Sequence, residues 1–138
     1  MTISTLSDWT GEVGTVTIGA MKADGGTRST TVTVGGERDL SFIGSPPTGH
    51  RPLIACELCD DPSLWPTPVT RFLGDRASDP AEWARWVGQE YAPDLIRLFL
   101  TSTRRRGFSD YASVTTTVEN VLQATGLPLI IEGSNDPE

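Results

Sequence analysis

The chain has a single histidine, two cysteines and few basic residues, and each scarcity removes a class of function. His50 stands alone in a proline-rich loop, so no Ser/His/Asp set is read from it, and a metal site would want a second ligand pair that a single histidine does not supply. Lys and Arg total 11 against 18 Asp and Glu, giving a net charge of −7 and a pI near 4.6. Nucleic acids and anionic membrane surfaces select the opposite sign, so neither is expected as a partner. No apolar run approaches the roughly 20 residues of a membrane helix. Met1–Thr5 has neither a basic region nor an apolar core and does not read as a signal peptide. Cys56 and Cys59 are neighbours on one predicted strand, a spacing that rarely makes a structural staple. The expected compartment is the cytoplasm. A phosphate loop is also lacking, because neither a GxxxxGK motif nor a complete GxGxxG occurs.

What is present is an alternation of strand-like and helix-like segments in a chain of 138 residues, enough for one core. Three apolar runs, Leu53–Leu58, Leu95–Thr101 and Leu127–Glu132, are separated by helix-like stretches. The first helix opens with Asp79-Pro80-Ala81-Glu82, where Asp79 can cap, Pro80 suits the first turn and Glu82 completes a box-like pair. Trp83, Trp86, Val87 and Tyr91 then fall at helical spacing as a buried stripe. Val114, Val118, Val121, Leu122 and Thr125 mark a second helical face, with Gly126 as its stop and Pro128 just beyond. Connections of this length join parallel strands, and the mostly apolar runs suit strands covered on both faces.

The first fifty residues differ. Glu12–Ala20 and Thr30–Val34 alternate in polarity, and Gly25-Gly26 between them supplies a reversal, which predicts a β-hairpin. The expected organisation is residues 1–50 as hairpin and loop, then 51–138 as the first part of a barrel-type domain. A βαβαβ series normally continues into a closed barrel or a wider sheet, so the chain reads as the front of a larger architecture. The expected class is α/β: a partial (β/α)8 TIM barrel of about three βα units, preceded by the hairpin.

Several stretches in order carry a resemblance. They are Thr17-Ile18-Gly19-Ala20, Asp24–Ser29, Val32–Glu37, Arg51–Ala55 with Glu57, Asp79–Ala84, Ala92 with Asp94-Leu95-Ile96, and Pro128–Ile131 with Gly133-Ser134. Together they resemble the small subunit of the corrinoid iron–sulfur protein, also called the acetyl-CoA decarbonylase/synthase delta subunit, over its N-terminal half. The resemblance implies a barrel that pairs with a large subunit and helps enclose a cobalamin-type corrinoid shared with that partner. The corrinoid's cobalt would carry a methyl group from a methylated pterin to the acetyl-CoA-forming nickel site. The pterin methyltransferase and acetyl-CoA synthase would be transient partners, and the iron–sulfur cluster would belong to the large subunit, with none in this chain. The sequence departs from the family's pattern at Leu40-Ser41-Phe42, where Pro-Phe is usual, and at Ala92-Pro93, where Gly-Ala is usual.

Strand ends at the C-terminal rim are where a barrel builds its site. Here they offer Glu57 and Asp60, then Thr101, Ser102 and Thr103, then Glu132, Ser134 and Asn135. Thr101, Ser102, Thr103, Ser134 and Asn135 are taken as the candidate corrinoid contacts. They are small and polar, suited to hydrogen-bonding corrin amides, and equally suited to capping the next helix. No catalytic residue and no metal ligand is assigned. Cys56 and Cys59 could ligate metal or cycle as a disulfide, but burial as small hydrophobes is favoured, since positions three apart on a strand face opposite ways. Arg104-Arg105-Arg106 reads as a phosphate clamp or a solvated loop, and Trp83 and Trp86 as a stacking platform or core. The competing functions are a fragment of a pterin-dependent methyltransferase barrel and an interaction module without ligand.

Overall fold

The computed structural model describes residues 11–38, 49–101 and 110–133. Strands β1 (Val16–Ile18) and β2 (Val32–Val34) pair as a two-stranded sheet, as the hairpin expectation required. The hydroxyls of Thr17 and Thr33 meet across it at 3.2 Å. The reversal starts with a single 3-10 turn, Lys22–Asp24, closed by Gly25 at φ +79°, a conformation that glycine adopts without a Cβ clash.

The chain divides into two compact units, one of residues 1–17 and 33–52, the other of residues 18–32 and 53–138. In the first, Val13 and Glu37 are joined backbone to backbone at 2.8 Å, Arg38 pairs with Glu12 at 2.9 Å, and His50 Nδ1 lies 3.0 Å from the Gly35 carbonyl.

The second unit is built on a parallel sheet of β3 (Ala55–Cys59), β4 (Leu95–Phe99) and β5 (Leu129–Glu132), in that spatial order. Register pairs Glu57 with Arg97 and Phe99 with Glu132. Helices α1 (Thr67–Leu73), α2 (Pro80–Glu90) and α3 (Tyr111–Ala124) fill the connections, with 3-10 turns at Pro62–Leu64 and Gly74–Ser78. Leu58, Ile96 and Leu98 are fully buried in one core with Trp83, Ala84, Val87 and Val121 from α2 and α3. At about 25 cal/mol per Å2 of apolar surface removed from water, this layer dominates the unit's stability.

The other sheet face differs from the expectation. Strands covered on both faces were predicted, and this face is covered only in part: Cys59 and Leu95 are buried on it, while Ala55 is exposed and Glu57, Arg97 and Glu132 are half-buried. The sheet is open, and no closed barrel exists among the described residues.

Local signals resolved unevenly. Asp79 caps α2 as predicted, accepting from the amides of Ala81 and Glu82 at 2.9 and 3.2 Å. The reciprocal half of the box is not formed: Glu82 turns to Arg85 one helical turn on, and the Asp79 amide donates to the Arg76 carbonyl. Trp83 and Val87 are buried, whereas Tyr91 is 57% exposed and forms a T-shaped ring pair with Trp86. Gly126 is not the left-handed stop expected of it. Helix α3 ends at Ala124 with Thr125 already extended, and Gly126 instead permits a close backbone approach by Ser29.

Candidate functional site

The C-terminal rim of the sheet gathers Cys59, Asp60 and Asp61 at the end of β3 with Phe99, Leu100 and Thr101 at the end of β4. Parallel pairing forces this, because it brings all strand ends to one side. Asp60 N–H donates to the Phe99 carbonyl at 3.2 Å, and Leu100 N–H to the Glu132 carbonyl at 2.8 Å, tying the three ends together. Thr101 is a buried polar residue, 9% exposed, and its hydroxyl donates to Asp60 Oδ1 at 3.0 Å. Cys59 Sγ lies 3.2 Å from the same hydroxyl, donates to the Asp61 carbonyl at 3.1 Å and accepts from the Asp61 amide at 3.4 Å. A buried hydroxyl without partners would be costly, so this cluster holds a fixed arrangement. Beside it a recess of about 370 Å3 is lined by Glu57, Cys59, Trp65, Val69, Phe99 and Thr101.

Of the sequence-predicted contacts, Thr101 is on this rim. Ser102, Thr103, Ser134 and Asn135 lie outside the described residues, as does the Arg104–Arg106 run. Glu57 was expected at a strand end. It lies in the strand interior, because β3 runs to Cys59, and its carboxylate pairs with Arg97. Arg97 also donates through Nε to Glu132 Oε2 at 2.7 Å, so one guanidinium bridges carboxylates on both neighbouring strands, and it stacks 5.3 Å from the centre of the Phe99 ring. Sequence reading passed over Arg97. The available signal was one charged residue inside each otherwise apolar run: Glu57, Arg97 and Glu132.

Cys56 and Cys59 are both free thiols on opposite faces of β3, and no group of His, Cys, Asp and Glu able to hold a metal occurs among the described residues. Cys59 is fully buried, and half-burial pushes the Cys56 thiol pKa up, away from a reactive thiolate. Trp86 is held edge-on between Phe72 and Tyr91, with Arg76 over its ring, so it is not presented as a flat platform.

The sequence profile described as CO dehydrogenase/acetyl-CoA synthase delta subunit matches residues 15–138. The chain belongs to this delta-subunit family. The acetyl-CoA decarbonylase/synthase complex subunit delta of Archaeoglobus fulgidus is 40% identical over 133 residues, 95% of this chain and 29% of that protein. The subunit delta of Methanopyrus kandleri is 36% identical over 130 residues, 93% of this chain and 32% of that protein. Subunit delta 1 of Methanosarcina thermophila is 32% identical over 137 residues, 99% of this chain and 31% of that protein. The chain thus spans about a third of the length of the curated delta subunits it matches. No helix among the described residues is long and apolar enough to cross a membrane.

Proposed function

We propose that this delta-family chain forms the front of a (β/α)8 barrel and contributes one wall of a corrinoid site in methyl transfer to an acetyl-CoA decarbonylase/synthase centre. The observation that carries the reading is the polar rim itself: Thr101 and Asp60, locked together at the C-terminal strand ends of a parallel sheet. Barrel enzymes build their sites at this end. The rim suits a corrinoid in kind. The Thr101 hydroxyl and the Glu57 carboxylate beside apolar Phe99 and Trp65 match a ligand edged with amides around an apolar ring. It does not suit one in extent, since a recess of 370 Å3 falls near the lower end of the ~300–1,000 Å3 typical for drug-sized ligands. The remaining contacts would come from a large partner subunit and from further strands, with Ser102, Thr103, Ser134 and Asn135 completing this chain's share.

The corrinoid, when bound, supplies the methyl-carrying chemistry. This chain's residues bind and orient. Thr101 offers its hydroxyl at a position fixed by Asp60, and Cys59 anchors the turn that carries Asp60. The Cys59 thiol is buried and the Thr101 hydroxyl is committed to Asp60, so the part read for this chain is placement.

Titration of the visible corrinoid spectrum tests the reading. This chain alone should bind methylcobalamin weakly, because a few hydrogen bonds at about 1 kcal/mol each do not offset the several kcal/mol lost on association. Together with the rest of a delta subunit and a large subunit, binding should be tight. Thr101→Val should then weaken it by about fivefold, the equivalent of one hydrogen bond. An assembly that binds no corrinoid would end this reading, and one that instead binds a methylated pterin tightly would favour the methyltransferase barrel.

A further inference from the structure

The recess at the strand ends carries one charged side chain in its wall, Glu57, and among the described residues no Lys, Arg or His lines it. Register sets Glu57 opposite Arg97, one layer below the pair of Cys59 and Phe99. Arg97 meets this carboxylate at Oε2, and no other described residue bonds to it, so Oε1 is left to accept. The guanidinium is not a free cation for a ligand. It is shared with Glu132, donating through Nε at 2.7 Å, and lies 5.3 Å from the centre of the Phe99 ring. One guanidinium thus serves two carboxylates, and the set stays net negative. Thr101 gives its hydroxyl proton to Asp60, so its oxygen too is left to accept. A half-buried carboxylate held in this way has a fixed direction and an unfilled acceptor. Such a group takes an N–H donor and rejects another carboxylate.

We propose that Glu57 is a specificity-determining contact of this site: it accepts from a primary amide at the corrinoid's edge and turns away corrinoids that carry carboxylates there. Arg97 is its positioning residue, acting through Glu57 and not on the ligand. The inference rests on the corrinoid reading above and adds which ligand chemistry this wall selects. A primary amide brings the donor that Oε1 lacks, and being neutral it needs no cation in a wall that has none. A pterin edge is the poorer fit. Its neighbouring N–H groups pair best with both oxygens of one carboxylate, and Oε2 is committed to Arg97.

The test uses this chain with the rest of a delta subunit and a large subunit, in equilibrium dialysis read by corrin absorption. The probes are cobinamide, whose ring edge is amidated, and cobyrinic acid, the same ring with free carboxylates. The parent should prefer cobinamide. Glu57→Gln, which can donate as well as accept, should narrow that preference by at least about fivefold. Glu82→Gln removes an equal charge from the exposed face of α2 and should change it by less than about twofold, which separates contact from overall charge. Arg97→Met should widen the preference, because Glu57 then meets the ligand unneutralised, and Arg97→Lys should hold it near the parent value. Loss of folding weakens both ligands together and leaves their ratio alone. The ratio is also read in the 138-residue chain by itself, from the amide shifts of Glu57 and Thr101 under millimolar ligand, so it does not depend on the assembly forming. A ratio unmoved by Glu57→Gln, or moved equally by Glu82→Gln, would overturn the inference and leave corrinoid binding standing. Binding of neither corrinoid in either format would end the corrinoid reading itself, and the inference with it. A methylated pterin held tightly and released by Glu57→Gln would overturn both in favour of the methyltransferase barrel.

Discussion

Arg28 donates to the carbonyl of Thr125 at 2.7 Å across 97 residues of sequence, and so ties the hairpin reversal to the end of helix α3. The same guanidinium also reaches the carbonyls of Leu122 at 2.7 Å and Leu127 at 3.2 Å. The last turn of a helix leaves carbonyls without intrahelical partners, and its dipole favours a cation there. Arginine serves because its planar fork presents several donors at once, and burial lowers its pKa without threatening its charge. Ser29 N–H adds a bond to the Gly126 carbonyl at 2.8 Å.

Arg28→Ala should therefore destabilise the chain by about 1–2 kcal/mol, less than the sum of three charge-assisted bonds because the site is partly open to water. Arg28→Lys should recover under half of that loss, since an ammonium cannot fork among three carbonyls. Urea denaturation of both variants measures this. Equal stability of Arg28→Ala and the parent would remove the clamp.

Gly126→Ala should cost about 1–3 kcal/mol, because a Cβ there would collide with Ser29 Oγ and lie 2.8 Å from Ser29 Cβ. Combining it with Ser29→Gly should return most of that stability. A double variant no more stable than Gly126→Ala alone would show that something other than this approach requires the glycine.

Arg97→Met should lower stability by about 1–2 kcal/mol, since it takes from half-buried Glu57 and Glu132 the guanidinium that both share. Either Glu57→Gln or Glu132→Gln should cost less than about 1 kcal/mol, because each leaves Arg97 with a partner. Thermal melts of the three variants beside the parent measure this, and an Arg97→Met variant as stable as the parent would show that the bridge contributes nothing.

The Cys56 thiol should alkylate slowly at neutral pH, because burial raises its pKa above the ordinary 9.0. The sign for stability follows. Above the unfolded thiol's pKa the unfolded chain loses a proton that the folded chain keeps, so stability falls as pH rises through about 9. Cys56→Ser should flatten that alkaline decline. An unchanged decline would assign it to other groups.

The strands of the parallel sheet and the start of α2 were legible because their causes are local. Apolar runs between punctuating prolines and glycines set β3, β4 and β5 to within two residues of their expected starts and ends, and Asp79-Pro80 sets a helix start from neighbours alone. Failures came where two distant segments meet. Tyr91 shares the helical spacing of Trp83 and Val87, but spacing does not say how wide a stripe the sheet will cover. Gly126 looked like a helix stop because glycine after a helix usually is one, while its actual reason is Ser29, far away in sequence.

At the site the division is the same. Composition offered no second histidine for a metal centre, and the order of its motifs placed the chain in its family. That Thr101 would be buried against Asp60 and Cys59, that Arg97 would hold Glu57 and Glu132 across three strands, and that Arg28 would clamp α3 were decided only by folding. Each is a pairing between side chains brought together by strand register or helix packing. A one-dimensional pattern carries the period of an element, but not the identity of its neighbour.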